Sequence, residues 1–291
     1  MRLFIIGSTG QLGSDFLLMA DELGIEVDGI HYPEIDLSDI SSIENALADR
    51  KYDIIVNTAA YHGYDAYKDE SPERYYAINV FGLYHLGKIA AERNAGIVTF
   101  STDYVFSGNS EPTSGGFSEN DPPIPANIYS ASKLAGEKLL RVVHPDSYIF
   151  RVASLYGRKG CRAKNDSNFV EMVISKLSSG EEMTIVNNIL MSPTSTESVI
   201  RKGIEVLQTC QPGLYHLAGQ GGCTWYEFAV AVAELMDLPL NLLKPSTSDE
   251  VEQEIARGKN TVLINSKLRE SKAGDMEHWR KSLELYLSQR P

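Results

Sequence analysis

Three tyrosines in this chain are followed four positions later by a lysine: Tyr64 and Lys68 in "YDAYK", Tyr84 and Lys88 in "YHLGK", and Tyr129 and Lys133 in "YSASK". A phenol whose pKa stays at about 10 is a slow acid at neutral pH. An ammonium one helical turn away stabilises the phenolate and turns the tyrosine into a usable proton donor. Reduction of a carbonyl calls for such a donor, because carbon takes a hydride while oxygen takes a proton. The spacing alone selects nothing, since a chain of this length carries about one such pair by chance. It has meaning only on a helix, and only if that helix faces the reacting groups.

The elements that must position these pairs alternate. Apolar runs at "RLFII" (2–6), "EVDGI" (26–30), "DIIVNTAA" (53–60), "GIVTFST" (96–102) and "SYIFRVASLYG" (147–157) read as strands. Between them lie helical stretches: "QLGSDFLLMADELG" (11–24), "SSIENALADR" (41–50) with Ser41 and Glu44 at capping-box spacing, and a long helix from Ser71 and Pro72 to the stop "NAG" at 94–96. A further helix spans "YSASKLAGEKLLRVV". Strands apolar on both faces, alternating with helices, predict a doubly wound parallel sheet of Rossmann type. The later segments alternate less regularly, with a helix "NFVEMVISKLSSG", a strand "EMTIV", a helix "STESVIRKGIEVLQT", a strand "GLYHLAG", and Thr224 and Glu227 at capping-box spacing. The expected division is residues 1–157 plus about 183–218 as a dinucleotide-binding domain, with about 158–182 plus 219–291 as a smaller, partly interleaved substrate lobe.

Against this frame the three pairs separate. Tyr84 and Lys88 lie mid-helix, far from any strand's C-terminal end, where open α/β sheets bind ligands. Tyr64 and Lys68 lie between "NTAA" and Ser71, without a helix to give the spacing meaning. Tyr129 and Lys133 lie on the helix that follows a long loop, "SGNSEPTSGGFSENDPPIPAN" (107–127), leaving a strand tipped with hydroxyls. Ser101 and Thr102 are expected to enter the same crevice as Tyr129. Thr102 would hydrogen-bond a substrate carbonyl, and Asp103 would orient or relay a proton.

The first loop, "IIGSTGQLGSD", places Gly7, Gly10 and Gly13 three residues apart between strand and helix. The first permits a tight turn, the second lets backbone approach a pyrophosphate, and the third lets helix and strand pack closely. A carboxylate near the end of the second strand would select NAD, and an arginine NADP. His31 and Tyr32 occupy that neighbourhood, so the preference between NAD and NADP stays open. Asp36 either contacts the adenine side or caps the next helix.

Other chemistries are disfavoured. A formal net charge of −12 argues against nucleic-acid and anionic-membrane partners. The N-terminal apolar run is too short for a signal peptide, and no stretch approaches a membrane span. Cys161, Cys210 and Cys223 are odd in number and widely spaced, as expected of reduced thiols in a cytoplasmic protein. Histidines at metal-ligand spacing are absent, so no metal is expected.

"GSTGQLG", "NTAAY", "STDYVFSG", "YSASKLAGE", "NFV", "SPT" and "GLYHLAG" occur in that order over most of the chain. Together they resemble the extended short-chain dehydrogenase/reductases, specifically the dTDP-4-dehydrorhamnose reductase group. The resemblance implies an NAD(P)H-dependent 4-ketoreductase of a nucleotide-linked 6-deoxysugar, with Tyr129 as acid, Lys133 on the nicotinamide ribose, Thr102 completing the triad and Asp103 beside it. It implies cofactor contacts from Gly7, Thr9, Gly10, Gln11, Leu12, Gly13, Asp36, Leu37, Ala59, Ala60, Tyr61, Asn79 and Ser101. On the sugar side it implies Val105, Phe106, Asn168, Pro193, Thr194 and Arg257, besides Thr102, Asp103 and Tyr129. A homodimer is compatible with it.

The departures fall on the sugar side. Ser154 stands where the group carries a tryptophan, and Asn188, Ile189 and Met191 stand near its Asp-Gln pair. Gly258 follows Arg257 in place of proline, His62 replaces a small hydroxyl residue, and the longer insert "RKGCRAKNDS" carries Arg158, Lys159, Arg162 and Lys164. The expected substrate is therefore a related ketosugar, its diphosphate a candidate partner for that insert. Two other classes compete. One is a regulatory subunit that keeps fold and cofactor without catalysis, as the regulatory subunit of an S-adenosylmethionine-forming enzyme resembles this superfamily. The other is an epimerase or dehydratase, disfavoured because "STDYV" offers one carboxylate instead of an Asp-Glu pair.

Overall fold

A computed structural model describes residues 1–62, 71–109, 111–112, 114–160, 168–248 and 258–290. Five strands of the first half, β1 (Arg2–Ile6), β2 (Glu26–Ile30), β3 (Ile54–Asn57), β4 (Gly96–Thr102) and β5 (Tyr148–Val152), join the later strand Leu214–His216 in one sheet. Its order is Leu214–His216, β5, β4, β3, β1, β2, and every pairing is parallel. Alternation does the sorting: Leu3 and Ile5 of β1 go to one face, and Phe4 and Ile6 to the other. Phe16 of α1 (Gln11–Met19) joins the first face, and Ile43 and Leu47 of α2 (Ile40–Leu47) join the second.

Local chemistry moved several boundaries. The first helix stops at Met19 instead of 24, in a turn through Gly24 at φ 61°. The cap of α2 is Asp39, which accepts from the Ser41 N–H at 2.9 Å, so Ser41 lies inside the helix it was expected to cap. The helix opened by Ser71 is interrupted: α3 (Pro72–Tyr76) passes into a wide π-type turn, Ala77–Gly82, before α4 (Leu83–Glu92). There Gly82 approaches the Leu37 carbonyl so closely that a Cβ would lie 2.4 Å from its oxygen. Asn94 then takes the left-handed conformation at φ 53°, the expected helix stop.

The helix bearing the third pair, α5 (Ile128–Val143), packs against α4 and the wide turn. The apolar run at 147–157 is not one strand. Ser154 sits at φ 40°, and the chain restarts as Leu155–Tyr156, pairing with Thr194–Ser195.

The lobe has its own core, in which Tyr156 and Met191 pack with Val170 and Leu177 of α6 (Phe169–Ser178) and with Phe228. Met183–Val186, assigned from the sequence to the dinucleotide-binding part, pairs with Leu243–Ser246, and Met183 and Ile185 bury in this lobe core. The following helix, α7 (Thr196–Thr209), returns to the main sheet and buries Val199, Ile200 and Ile204 there. Asp15 of α1, 2% exposed, accepts a hydrogen bond from the Thr196 hydroxyl and ties the two helices together; burial raises its carboxyl. Among the described residues no helix is long and apolar enough to cross a membrane.

Candidate active site

The site begins where β1 meets α1. Gly7 takes φ 90°, reserved in practice for glycine, and a Cβ on it would lie 2.8 Å from the Ala59 nitrogen. A Cβ on Gly13 would lie 2.2 Å from the Gly7 carbonyl oxygen, so α1 seats on the turn only without a side chain there. Gly10 caps α1 with no side-chain hydrogen bond, which leaves the first-turn N–H groups facing outward as an anion cradle. The Gln11 Nε2 atom is buried and has no hydrogen-bond partner among the described residues. These residues fit a dinucleotide pyrophosphate. Leu12 is buried in the sheet core and contributes backbone, whereas Thr9 is exposed.

At the end of β2, Ser8 Oγ and His31 Nδ1 are 3.3 Å apart, and Glu34 lies 3.4 Å from the same nitrogen. Asp36 Oδ1 accepts from the backbone and hydroxyl of Ser38 at 2.8 and 2.6 Å, a turn-closing role just before α2. Leu37 is buried against the wide turn that Gly82 opens.

Asn79, 3% exposed in that turn, is the clamp of the site. Its Oδ1 accepts from the Tyr61 N–H at 2.8 Å, and its Nδ2 donates to the Tyr61 carbonyl at 2.8 Å and to Ser132 Oγ at 2.9 Å. Ser132 in turn donates to the Tyr129 carbonyl at 2.7 Å. One amide thus ties the loop after β3, with Ala59, Ala60 and Tyr61, to the helix carrying Tyr129.

That helix starts sharply. Asn127 and Ser130 form a reciprocal cap, the Asn127 side chain accepting from the Ser130 N–H at 2.8 Å. Tyr129 therefore sits in the first turn, with its ring edge-on to His62 at 6.4 Å between centroids. Lys133 follows one turn later on the same face, 5% exposed; burial pushes its ammonium down to about 8, against the opposing field of Glu137.

Thr102 and Asp103 close β4. The Thr102 hydroxyl donates to Asp103 Oδ1 at 3.1 Å and accepts from the Tyr104 N–H at 3.2 Å. Thr261 donates to Asp103 Oδ2 at 2.7 Å, and burial pushes the Asp103 carboxyl up to about 6. Ser101 precedes Thr102 by one residue and so leaves the strand on the opposite face; its Oγ is buried, with no hydrogen-bond partner among the described residues. The long loop after residue 107 brings Thr261 here. Phe117 N–H donates to the Val262 carbonyl at 2.7 Å, Ile264 N–H donates to the Phe117 carbonyl at 2.8 Å, and Glu119 accepts from His216 and Ser266 N–H groups at 3.0 and 3.1 Å.

The other sugar-side positions are placed differently. Val105 and Phe106 are fully buried, Phe106 stacked on Phe117. Asn168 caps α6 and donates to the Gly157 carbonyl at 2.9 Å. Pro193 is buried, and the Thr194 hydroxyl links the Ser192 carbonyl and the Gly219 N–H at 2.9 and 3.1 Å. Arg257 lies outside the described residues, as do Tyr64, Lys68, Arg162 and Lys164. Arg158 bonds to Glu197 at 3.4 Å and to Gln289 at 3.2 Å. Tyr84 and Lys88 stand on α4, where Lys88 is exposed and lies 4.0 Å from Glu92.

Of the residues that complete the site, Thr261 and the Asn127–Ser130 cap were missed in the sequence. The cap had a local signal in "NIYS"; Thr261 had none, because its partner is 158 positions away.

A family model described as the RmlD substrate binding domain matches residues 1–290. The chain belongs to that family. The spore coat polysaccharide biosynthesis protein SpsK of Bacillus subtilis is 32% identical, the match covering 99% of this chain and 98% of that protein. The dTDP-4-dehydrorhamnose reductase of Escherichia coli is 29% identical, with 99% and 98% covered. A dTDP-4-dehydrorhamnose reductase of Bacillus anthracis, solved in complex with NADP, superposes with a TM-score of 0.90 at 28% identity and 99% coverage of both chains. The family is thus the extended short-chain dehydrogenase/reductase group to which the motif order pointed.

Family membership makes the departures legible. Asn188 and Ile189 stand near the place of a polar pair and Met191 two residues on; Ile189 and Met191 are 4% and 2% exposed, and Met191 packs in the lobe core. Asn188 exchanges hydrogen bonds with Ser248 at 3.1 and 2.8 Å. At Gly258, which stands where the group has proline, a Cβ would lie 2.9 Å from the Ser107 carbonyl oxygen. Ser154, in the tryptophan's place, is the residue at which the chain bends.

Proposed function

We propose that this protein reduces the 4-keto group of a nucleotide-linked 6-deoxysugar with NADPH or NADH. The observation that supports the reading is the capped helix α5, which carries Tyr129 and Lys133 one turn apart and packs against β4 and the turn that follows it. Gly7, Gly10 and Gly13 would hold the pyrophosphate of a nicotinamide dinucleotide, which would supply the hydride for the carbonyl carbon. Tyr129 delivers the proton to the carbonyl oxygen, and the Lys133 ammonium stabilises the phenolate left behind. Thr102 orients the carbonyl through its hydroxyl. That hydroxyl has one proton, which the ionised Asp103 carboxylate attracts, so the Thr261 bond, by satisfying the other carboxylate oxygen, tempers the competition.

We assign the dinucleotide to the main-sheet half and the sugar to the lobe side. The ketosugar differs in detail from that of the named reductases, because the residues altered in this chain fall on that side. The net charge of −12 sets a nucleic-acid partner aside, and reduced thiols fit a cytoplasmic setting. The deciding experiment is a panel of 4-keto nucleotide sugars, each offered with NADH and with NADPH and followed by loss of nicotinamide absorbance. Turnover on at least one is expected. No consumption on any, together with a stoichiometric enzyme partner recovered by pull-down, would replace this reading with a regulatory subunit.

A further inference from the structure

Beneath Lys133 lies an ion pair that the proposed chemistry does not use. Glu137, one turn further along α5, accepts from Arg151 of β5 through both oxygens, Nε to Oε1 at 3.0 Å and Nη2 to Oε2 at 2.8 Å. Both side chains are 3% exposed. The Arg151 guanidinium also lies 5.1 Å from the centroid of the Phe106 ring, and its Nη1 has no hydrogen-bond partner among the described residues.

We propose that the buried Glu137–Arg151 pair is a positioning device for Lys133: the carboxylate, oriented by the guanidinium fork, keeps the neighbouring ammonium charged without drawing it into a closed ion pair. Two observations make this more than a packing contact. Among the described residues Lys133 has no ion pair within 4.0 Å, although Glu137 stands one helical turn away, where a lysine and a glutamate ordinarily meet. The fork occupies both carboxylate oxygens in the planar geometry that arginine favours, so the carboxylate acts on Lys133 through its field. Two cations thus share one buried anion.

The other elements packed against α5 do not supply that field. The third helix brings Glu73 and Arg74, both exposed, and the buried Tyr75 and half-buried Tyr76. The fourth brings half-buried Tyr84 and His85 and exposed Lys88, while β4 brings only hydroxyls and the turn after it Asp103 and Tyr104. Asp103 is held by Thr102 and Thr261. Glu137 is the charge that opposes the burial of Lys133.

The inference rests on the reductase reading only in giving Lys133 its task, and its test does not need a ketosugar. Lysine reactivity toward acetic anhydride is measured against pH by mass spectrometry of the Lys133 peptide in the whole protein. In Glu137→Gln the labelling midpoint should fall by about one pH unit or more, because the opposing charge is gone. In Arg151→Met it should rise by a comparable amount, because the carboxylate is released toward Lys133. Opposite directions are the signature. A merely structural pair would leave both midpoints at the wild-type value, and that result overturns the proposal. Where Glu137→Gln does not fold, the direction seen in Arg151→Met decides. On an active ketosugar the alkaline limb of kcat/KM should move with each midpoint; shifted midpoints in a protein inactive on every ketosugar would sink the reductase reading and support this one.

Discussion

The glycine turn at β1–α1 and the lobe segment around residues 188–191 are built under different constraints. In the cradle, Gly7, Gly13 and the Asn79 clamp are fixed by backbone contact: a Cβ on Gly13 would lie 2.2 Å from a carbonyl oxygen. On the lobe side the positions that depart from the family became packing. Ile189 and Met191 are almost fully buried, and Asn188 holds Ser248. Backbone packed against backbone leaves no room for a side chain at Gly7 or Gly13. Side chains at the lobe segment are held by burial and by side-chain hydrogen bonds instead.

Four substitutions test that contrast. Tyr129→Phe should cut turnover by about 100- to 10,000-fold while cofactor affinity, measured by fluorescence titration, stays near wild type. Near wild-type turnover would remove Tyr129 as the acid. Gly13→Val should abolish cofactor binding by the same titration and cost about 1–3 kcal/mol in chemical denaturation, as overpacking at a backbone contact does. Retained binding would mean the cradle is not where the dinucleotide sits. Ile189→Gln places an amide at a position 4% exposed and should cost about 1–3 kcal/mol of stability, with the KM of the folded enzyme little changed. A large change in KM without a stability loss would make this position a sugar contact after all. Lys88→Met, at the rival pair on α4, should alter stability by less than about 0.5 kcal/mol and leave turnover unchanged. Any marked loss of activity there would reopen the choice among the three tyrosines.

Much of the cradle was legible in the sequence because its causes are local. Three glycines between an apolar run and a helix have steric tasks within a few residues of themselves, and Asn94 stops a helix wherever a helix ends. The lobe was less legible for the opposite reason. Met183–Val186 has the pattern of a strand, but its pairing with Leu243–Ser246 depends on chain far away in sequence. The wide turn at Ala77–Gly82 left no signal in composition; within it Gly82 meets Leu37 and Asn79 bonds to Ser132, both distant in sequence. The break at Ser154 hid inside an apolar run because a single left-handed residue does not alter a hydrophobic pattern.

By itself the sequence determined the alternation of strand and helix and the glycine turn, since these follow from periodicity and steric demand along the chain. Only the tertiary structure decided what surrounds Tyr129 and its neighbours. It set Thr261 against Asp103, Arg151 against Glu137 and His62 beside the Tyr129 ring. Those are pairings between elements distant in sequence, and burial gives them their strength: removing water raises the cost of every unpaired charge, so the partner that arrives through folding sets the protonation of the group it meets.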